Sequence, residues 1–180
     1  MTHLGPTLET DRLILRPPRA GDFDGFAELQ GNADASRFIG GPVTRAEAWR
    51  RFLWQPGAWF VQGFGMFGVI EKKSGLWMGQ IGPWKPECWP GNEIGYAFHP
   101  RAWGKGYATE AGTAAIDWAF DTLGWDDIIH CIDPGNVASQ NVARRLGSTM
   151  KGQGKLPPPH QDAVIDIWGQ SREQWRRRRA

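Results

Sequence analysis

Two cysteines, Cys88 and Cys131, are all that the 180 residues contain. Without a Cys-x-x-Cys spacing they make neither a disulfide framework nor a zinc knuckle, and buried free thiols in a reducing compartment are expected. Histidine is nearly as scarce: His3, His99, His130 and His160 are scattered without ligand spacing, so no metal is expected. Net charge is only +2, which makes no general case for specific nucleic-acid binding. The run Arg176 to Arg179 reads as a solvated, frayed helix end, where cations suit the helix dipole, with an RNA or ribosome contact as the sharper alternative. Apolar runs are short. Ala58 to Ile70 contains Gln62 and falls below the ~20 residues of a spanning helix. The opening Met-Thr-His-Leu-Gly-Pro has no basic-then-apolar signal pattern. These absences point to a cytoplasmic protein with no membrane partner.

What is present fits one folded domain, residues 1–180, with 41% hydrophobic and 22% charged residues. The 24 glycines and 13 prolines sit at turn-like places, and the 11 tryptophans are many for this length. Arg12 to Arg16 reads as a strand, and Ala20 to Gln30 as a helix from the spacing of Phe23, Phe26, Ala27 and Leu29. Thr44 and Glu47 form a capping-box pattern that opens a helix through about Trp54, ended by Pro56 and Gly57. Strands are expected at Trp59 to Gln62, Gly65 to Glu71, Leu76 to Trp84 and Asn92 to His99. A long helix follows from about Lys105 to Leu123, then a strand from Asp127 to Ile132. A short helix capped by Asn136 or Ser139 runs to Leu146, a last strand covers Ala163 to Trp168, and Ser171 starts a terminal helix. The order gives a mixed α/β fold with an antiparallel first half and a crossover at the long helix.

The stretch Glu93 to Ala111 carries the chemistry. A strand enters the turn Trp103-Gly-Lys-Gly106, which opens the long helix. Such a start presents unpaired N–H groups and the positive end of a dipole, a ready anion site. Gly104 and Gly106 let the backbone approach a phosphate closely, and Arg101 and Lys105 add charge. A lone glycine at a helix start is usually only a turn. The P-loop pattern is absent. Gly63-Phe-Gly65-Met-Phe-Gly68 matches a dinucleotide fingerprint literally but leads into a strand and hairpin, so a glycine-rich strand is the better reading.

Trp103-Gly-Lys-Gly106-Tyr-Ala108 resembles the acetyl-CoA motif R/Q-x-x-G-x-G/A of the GNAT superfamily, with Trp103 standing where the pattern has Arg or Gln. Arg101-x-x-Gly104-x-Gly106 matches literally but sits farther from the helix start. Leu8 to Arg16, Asn136-x-x-Ser139 with Arg145-Leu-Gly147, and Trp175 are similar to segments of the RimJ/RimL branch, which acetylates ribosomal-protein N-termini. Ser148 replaces that branch's Phe, and Ala143 stands where many members have a Tyr.

The resemblance implies a single-domain, mostly antiparallel twisted sheet flanked by helices, with a splayed strand pair holding acetyl-CoA. It implies an N-acetyltransferase acting by direct attack of a neutral amine, with no metal. Backbone groups of Ala97, Phe98 and His99, with Asn136, would hold the pantetheine arm. Arg101, Trp103, Gly104, Lys105, Gly106, Tyr107, Ala108 and Thr109 would surround the phosphates. Glu93 is the candidate base through a water, against a plain strand carboxylate, with Glu87 in reserve. Ser139 is a candidate proton donor, against a helix cap. The Trp-rich segments Trp49 to Trp59 and Trp77 to Trp89 would shape the acceptor side. The lead acceptor is a protein α-amine, on a ribosomal or other protein N-terminus. A small amine of aminoglycoside or polyamine type, a catalytically silent acyl-CoA-binding module and a Rossmann nucleotide binder are the alternatives. The chain would be a monomer or homodimer.

Overall fold

Leu13-Ile-Leu-Arg16 alternates buried and half-buried positions, the period-two signature of a strand with one face on a core. The structure, a computed structural model, describes residues 4–180, and His3 lies outside them. The chain divides into two units, one of residues up to Gly82 with Tyr96–Ala114, the other of Pro83–Gly95 with Ala115–Ala180. It passes between them inside two strands and inside one helix. Among the described residues no helix is long and apolar enough to cross a membrane.

The first unit opens with β1 (Leu8–Glu9) and β2 (Leu13–Arg16), then helices α1 (Phe23–Gly31), α2 (Ala33–Ser36) and α3 (Arg45–Gln62). Strands β3 (Phe67–Glu71) and β4 (Trp77–Trp84) follow. Neighbours from β1 to β4 pair antiparallel. The α1–α3 side packs Phe26, Leu29, Ala48, Phe52, Ile70 and Trp77 into one core. Phe26 meets Phe52 edge-on with centroids 5.3 Å apart. Each such ring removed from water contributes about 2 kcal/mol. Arg16 grips Asp22 with two 2.8 Å bonds, and that buried carboxylate also accepts from the Arg19 N–H.

Two sequence expectations fail in this unit. The α3 helix does not stop at Pro56, and Trp59 to Gln62 is its last turn rather than a strand. Its buried residues Ala48, Phe52, Gln55 and Trp59 recur at helical spacing and keep the helix on the core past the proline. Tertiary packing outweighs one lost hydrogen bond, and Gly63 forms the C-cap. Gly65 to Gly68 leads into β3, as expected of a false dinucleotide match.

Strand β5 (Glu93–Phe98) and helix α4 (Tyr107–Asp121) belong partly to each unit. The second unit adds β6 (Asp127–Ile132), α5 (Val137–Arg145), β7 (Thr149–Gly154), β8 (Ile165–Ser171) and α6 (Arg172–Arg179). Strand β5 runs parallel to β6, as a helical crossover requires, while β6–β8 and β7–β8 are antiparallel. The sheet order is β1-β2-β3-β4-β5-β6-β8-β7. Strand β7 has no expectation behind it. Its sequence Thr-Met-Lys-Gly-Gln-Gly has low strand propensity, and it holds an end position with an irregularity after Met150. Helix α6 stays helical to Arg179 rather than fraying, because Arg176 meets Asp121, Arg179 meets Asp117 and Arg178 caps the Arg145 carbonyl. Cys131 is half-buried but Cys88 is exposed, contrary to expectation, because it sits in the Pro86–Gly91 loop with φ +62°.

Candidate active site

Two places collect the predicted residues. The first is the turn before α4, in the first unit. Gly104 and Gly106 both take positive φ, +73° and +78°, which residues with a Cβ adopt at a cost. The first helical bond runs from the Glu110 N–H to the Gly106 carbonyl at 3.1 Å. The N–H groups of Tyr107, Ala108 and Thr109 precede it and have no intrahelical acceptor. A Cβ built on Gly104 meets nothing within 4 Å, so the approach to this turn is open.

Arg12 sets the turn. Its Nη1 donates to the Lys105 carbonyl at 2.9 Å, and its guanidinium lies 4.7 Å over the Tyr107 ring. In a trans peptide the next N–H points opposite the carbonyl, so this bond turns the Gly106 N–H away from Arg12. Glu110 fixes Arg12 in turn, accepting from its Nε at 2.6 Å and its backbone N–H at 3.0 Å, and from the Thr10 hydroxyl. Burial acts against the Glu110 carboxylate, but these bonds outweigh it and hold its pKa below the usual value. Tyr107 donates its hydroxyl to Glu71, whose pKa is lowered by bonds from Ser74 and Tyr107.

The side-chain charges at this turn are already engaged. Arg101 pairs with Glu28 and donates from its backbone and Nε to His99 Nδ1 at 3.1 and 3.0 Å. Lys105 Nζ lies 3.9 Å from Glu71. The sequence shows no acid near either cation, and the fold brings both acids from other elements. Burial, then the Arg101 charge, lowers the His99 pKa. The half-exposed Trp103 donates its indole N–H to the Phe98 carbonyl at 2.9 Å, and the His99 N–H is spent on Met78. Two of the backbone groups expected to hold a pantetheine arm therefore have partners.

The second place is a fork between β5 and β6, within the second unit. Glu93 and Ile129 are in register, and the Ile129 N–H donates to the Asn92 carbonyl. An unbroken parallel ladder would next carry a bond from the Cys131 N–H to the Ile94 carbonyl. Two side chains intervene instead. The Cys131 N–H donates to Glu93 Oε1 at 3.2 Å, and the Ile94 carbonyl lies 2.8 Å from His130 Nδ1. His130 Nε2 lies 3.1 Å from Ser148 Oγ, which also accepts from Gln170 at 3.2 Å. Glu93 is 7% exposed, and its second oxygen accepts the Trp89 indole N–H. Burial pushes its pKa up to about 7 against these bonds, which favour the charged form. Burial likewise pushes His130 down to about 4.

A family model described as an acetyltransferase (GNAT) domain matches residues 12–149, drawing on both units. The chain belongs to the GNAT acetyltransferases. A solved acetyltransferase from Agrobacterium tumefaciens is 30% identical, with a TM-score of 0.80 over 93% of this chain and 95% of that one. The fold is shared with a ribosomal-protein-S5-alanine acetyltransferase from Vibrio fischeri at 19% identity, with a TM-score of 0.73 over 94% of this chain and 98% of that one. An FsC-acetyl coenzyme A-N(2)-transacetylase from Aspergillus fumigatus is 29% identical over 96% of this chain and 79% of its own length.

As a GNAT acetyltransferase the enzyme uses acetyl-CoA, and the turn fits a phosphate: its helix N–H groups lack intrahelical acceptors and its approach is clear of side chains. Ala97, Phe98, His99, Arg101, Trp103, Gly104, Lys105, Gly106, Tyr107, Ala108 and Thr109 lie in the first unit; Glu93, Asn136 and Ser139 lie in the second. Asn136 Oδ1 caps α5 by accepting the Ser139 N–H at 3.1 Å. Glu87 is exposed. Trp59 and Trp77 are core residues, contrary to the expectation that they shape an acceptor surface, whereas Trp49 and Trp54 are open. The residues missed from sequence are Arg12, Glu110, Glu71 and His130. Only the spacing of Arg12 in the first strand offered a signal, because the others act through contacts far apart in the chain.

Proposed function

We propose that this acetyltransferase acts on an α-amine, foremost that of a protein N-terminus, and that Glu93 takes up the proton through a water. The observation that carries this is the burial of Glu93 at the fork, where it is 7% exposed and held by the Cys131 and Trp89 N–H groups. That burial pushes its pKa up to about 7. An α-ammonium has a reference pKa of about 7.7–8.0, so handing its proton to Glu93 is uphill by roughly one unit. A lysine ammonium near 10.4 would be uphill by more than three units, roughly 4–5 kcal/mol. The base is matched to an α-amine. The amine nitrogen then replaces sulfur on the acyl carbon. The departing thiolate, with a cysteine-like pKa of about 8.5, needs little acid help, and Ser139 is our candidate donor. The N–H groups of Gly106, Tyr107, Ala108 and Thr109 would receive the pyrophosphate, with Gly104, Lys105, Arg101 and Trp103 around it. Ala97, Phe98, His99 and Asn136 would serve the pantetheine arm, with one strand N–H polarising the thioester carbonyl. The likeness in fold to a ribosomal-protein acetyltransferase supports a protein acceptor. The N(2)-transacetylase relative supports a small-molecule amine as the second reading.

The test is thiol release from acetyl-CoA with three acceptors: a peptide with a free N-terminus, the same peptide N-acetylated but keeping a lysine, and a polyamine. The free N-terminus should turn over at least about 100-fold faster than the blocked peptide. Preference for the polyamine would overturn the protein reading, and preference for the lysine would overturn the α-amine reading.

A further inference from the structure

We propose that the outer face of α3 pairs two copies of this chain about a twofold axis at Gly57. The inner face of this helix is accounted for by Ala48, Phe52, Gln55 and Trp59. The outer face is also apolar. Phe60 and Val61 are 82% and 83% exposed, Trp54 61%, Leu53 48% and Trp49 43%. A surface helix ordinarily turns polar residues to water. These five side chains expose on the order of 600 Å², at the top of what a monomer carries without a partner.

The order of these residues says what the partner is. Leu53 and Trp54 lie four and three positions before Gly57, and Phe60 and Val61 lie three and four positions after it. At 3.6 residues per turn, all four flank Gly57 on one side of the helix. An isologous interface brings position 57 − n of one copy against 57 + n of the other when the axis passes through residue 57. Leu53 then meets Val61 of the second copy, and Trp54 meets its Phe60. Each large side chain finds an apolar counterpart from the same short stretch. Gly57 is half-buried between them, and a Cβ built there meets nothing within 4 Å, so a notch lies where the two backbones would cross most closely.

Charge agrees with this arrangement. Arg50 lies seven positions before Gly57 on the same side, with a 68% exposed side chain that also reaches Glu47 of its own helix at 2.6 Å. The antiparallel pairing carries it to the C-terminal end of the second copy's α3, where the last carbonyls and the negative dipole end lie. That last turn has no basic residue of its own. Two such faces bury about 1,200 Å², the lower limit for a specific, stable interface, so a dimer in the micromolar range is expected.

Sedimentation velocity on the full chain across micromolar concentrations tests this, comparing wild type with Gly57→Leu and Phe60→Glu. Gly57→Leu puts a side chain into the notch while adding helix propensity, and its Cβ meets nothing within 4 Å, so an unchanged thermal unfolding midpoint should separate loss of the dimer from loss of the fold. Wild type should dimerise reversibly, and each variant should raise the dissociation constant at least about tenfold. Arg50→Glu should weaken the dimer less, by about two- to fivefold. A wild type that stays monomeric overturns the proposal, and so does a dimer indifferent to both Gly57→Leu and Phe60→Glu. Monomeric protein in which these variants raise the acceptor KM would instead assign the face to the acceptor.

Discussion

The turn before α4 and the fork between β5 and β6 handle polar groups in opposite ways. At the turn, backbone N–H groups are left open while the nearby charged side chains pair with one another: Arg12 with Glu110, Arg101 with Glu28, Lys105 with Glu71. At the fork, side chains take over ladder positions, and Glu93 and His130 are buried and bonded. The first arrangement suits an incoming anion. The second stores two shifted pKa values in one place. Binding should therefore be sensitive to backbone shape and local charge at the turn, while pH dependence should come from the fork.

The largest effect should come from Gly106→Asp. A negative side chain would stand where N–H groups meet phosphate, and the residue must also adopt φ +78°. Its Cβ would come 3.6 Å from Arg12, an ordinary contact, so the fold should survive. Coenzyme A affinity by titration calorimetry should fall by more than about 100-fold, while Gly106→Asn, with similar strain and no charge, should lose about tenfold. Unchanged affinity in folded Gly106→Asp would show that the turn is structural.

Next is Glu93→Gln, which should lower kcat by about 100-fold and remove the limb near pH 7 from the rate profile. A limb that persists would assign the base elsewhere.

The fork also makes a prediction about stability that needs no substrate. Glu93 has a folded pKa of about 7 against a reference of 4.5, so the folded state binds the extra proton between those values. Its contribution falls as pH rises through that window, by about 3 kcal/mol. His130 has a folded pKa of about 4 against 6.5, so the unfolded state binds the extra proton there. Its contribution rises with pH over about 4 to 6.5, by a similar amount. The two slopes nearly cancel in wild type. Urea unfolding of Glu93→Gln should expose a stability that rises with pH, and His130→Asn should expose one that falls. Parallel curves for the two variants would mean that the fork does not titrate as a pair.

The contrast also explains what the sequence made legible. Glycine spacing, strand length and the start of a long helix are local, so the α4 turn could be read from residues 93–111 alone. The Glu93 shift could not, because it arises from burial opposed by bonds from Trp89 and Cys131, and no spacing rule links these to it. The same holds for Glu28 and Glu71, which neutralise cations that look unopposed in the chain. Helix α3 misled for a related reason: Pro56 and Gly57 are local stop signals, overruled by Trp59 at the core. Strand β7 was missed because an end strand forms on the edge its neighbour offers, whatever its own propensity.

The smallest expected effect separates backbone from side chain at the turn. Glu28→Gln removes the carboxylate from Arg101 while keeping a hydrogen-bond acceptor of similar shape. Both groups are substantially exposed, 32% for Arg101 and 55% for Glu28, so the pair adds little stability and the variant should fold as wild type. Removing Glu28 leaves the Arg101 charge without its partner. If side-chain charge governs phosphate binding, coenzyme A affinity should rise about tenfold and its salt dependence should steepen. If backbone N–H groups govern it, as the open turn implies, affinity should change by less than about threefold, within the range of a single screened surface charge. Only the second outcome leaves the contrast between turn and fork intact, because it leaves the N–H groups of residues 106–109 as the part of the turn that an anion reads.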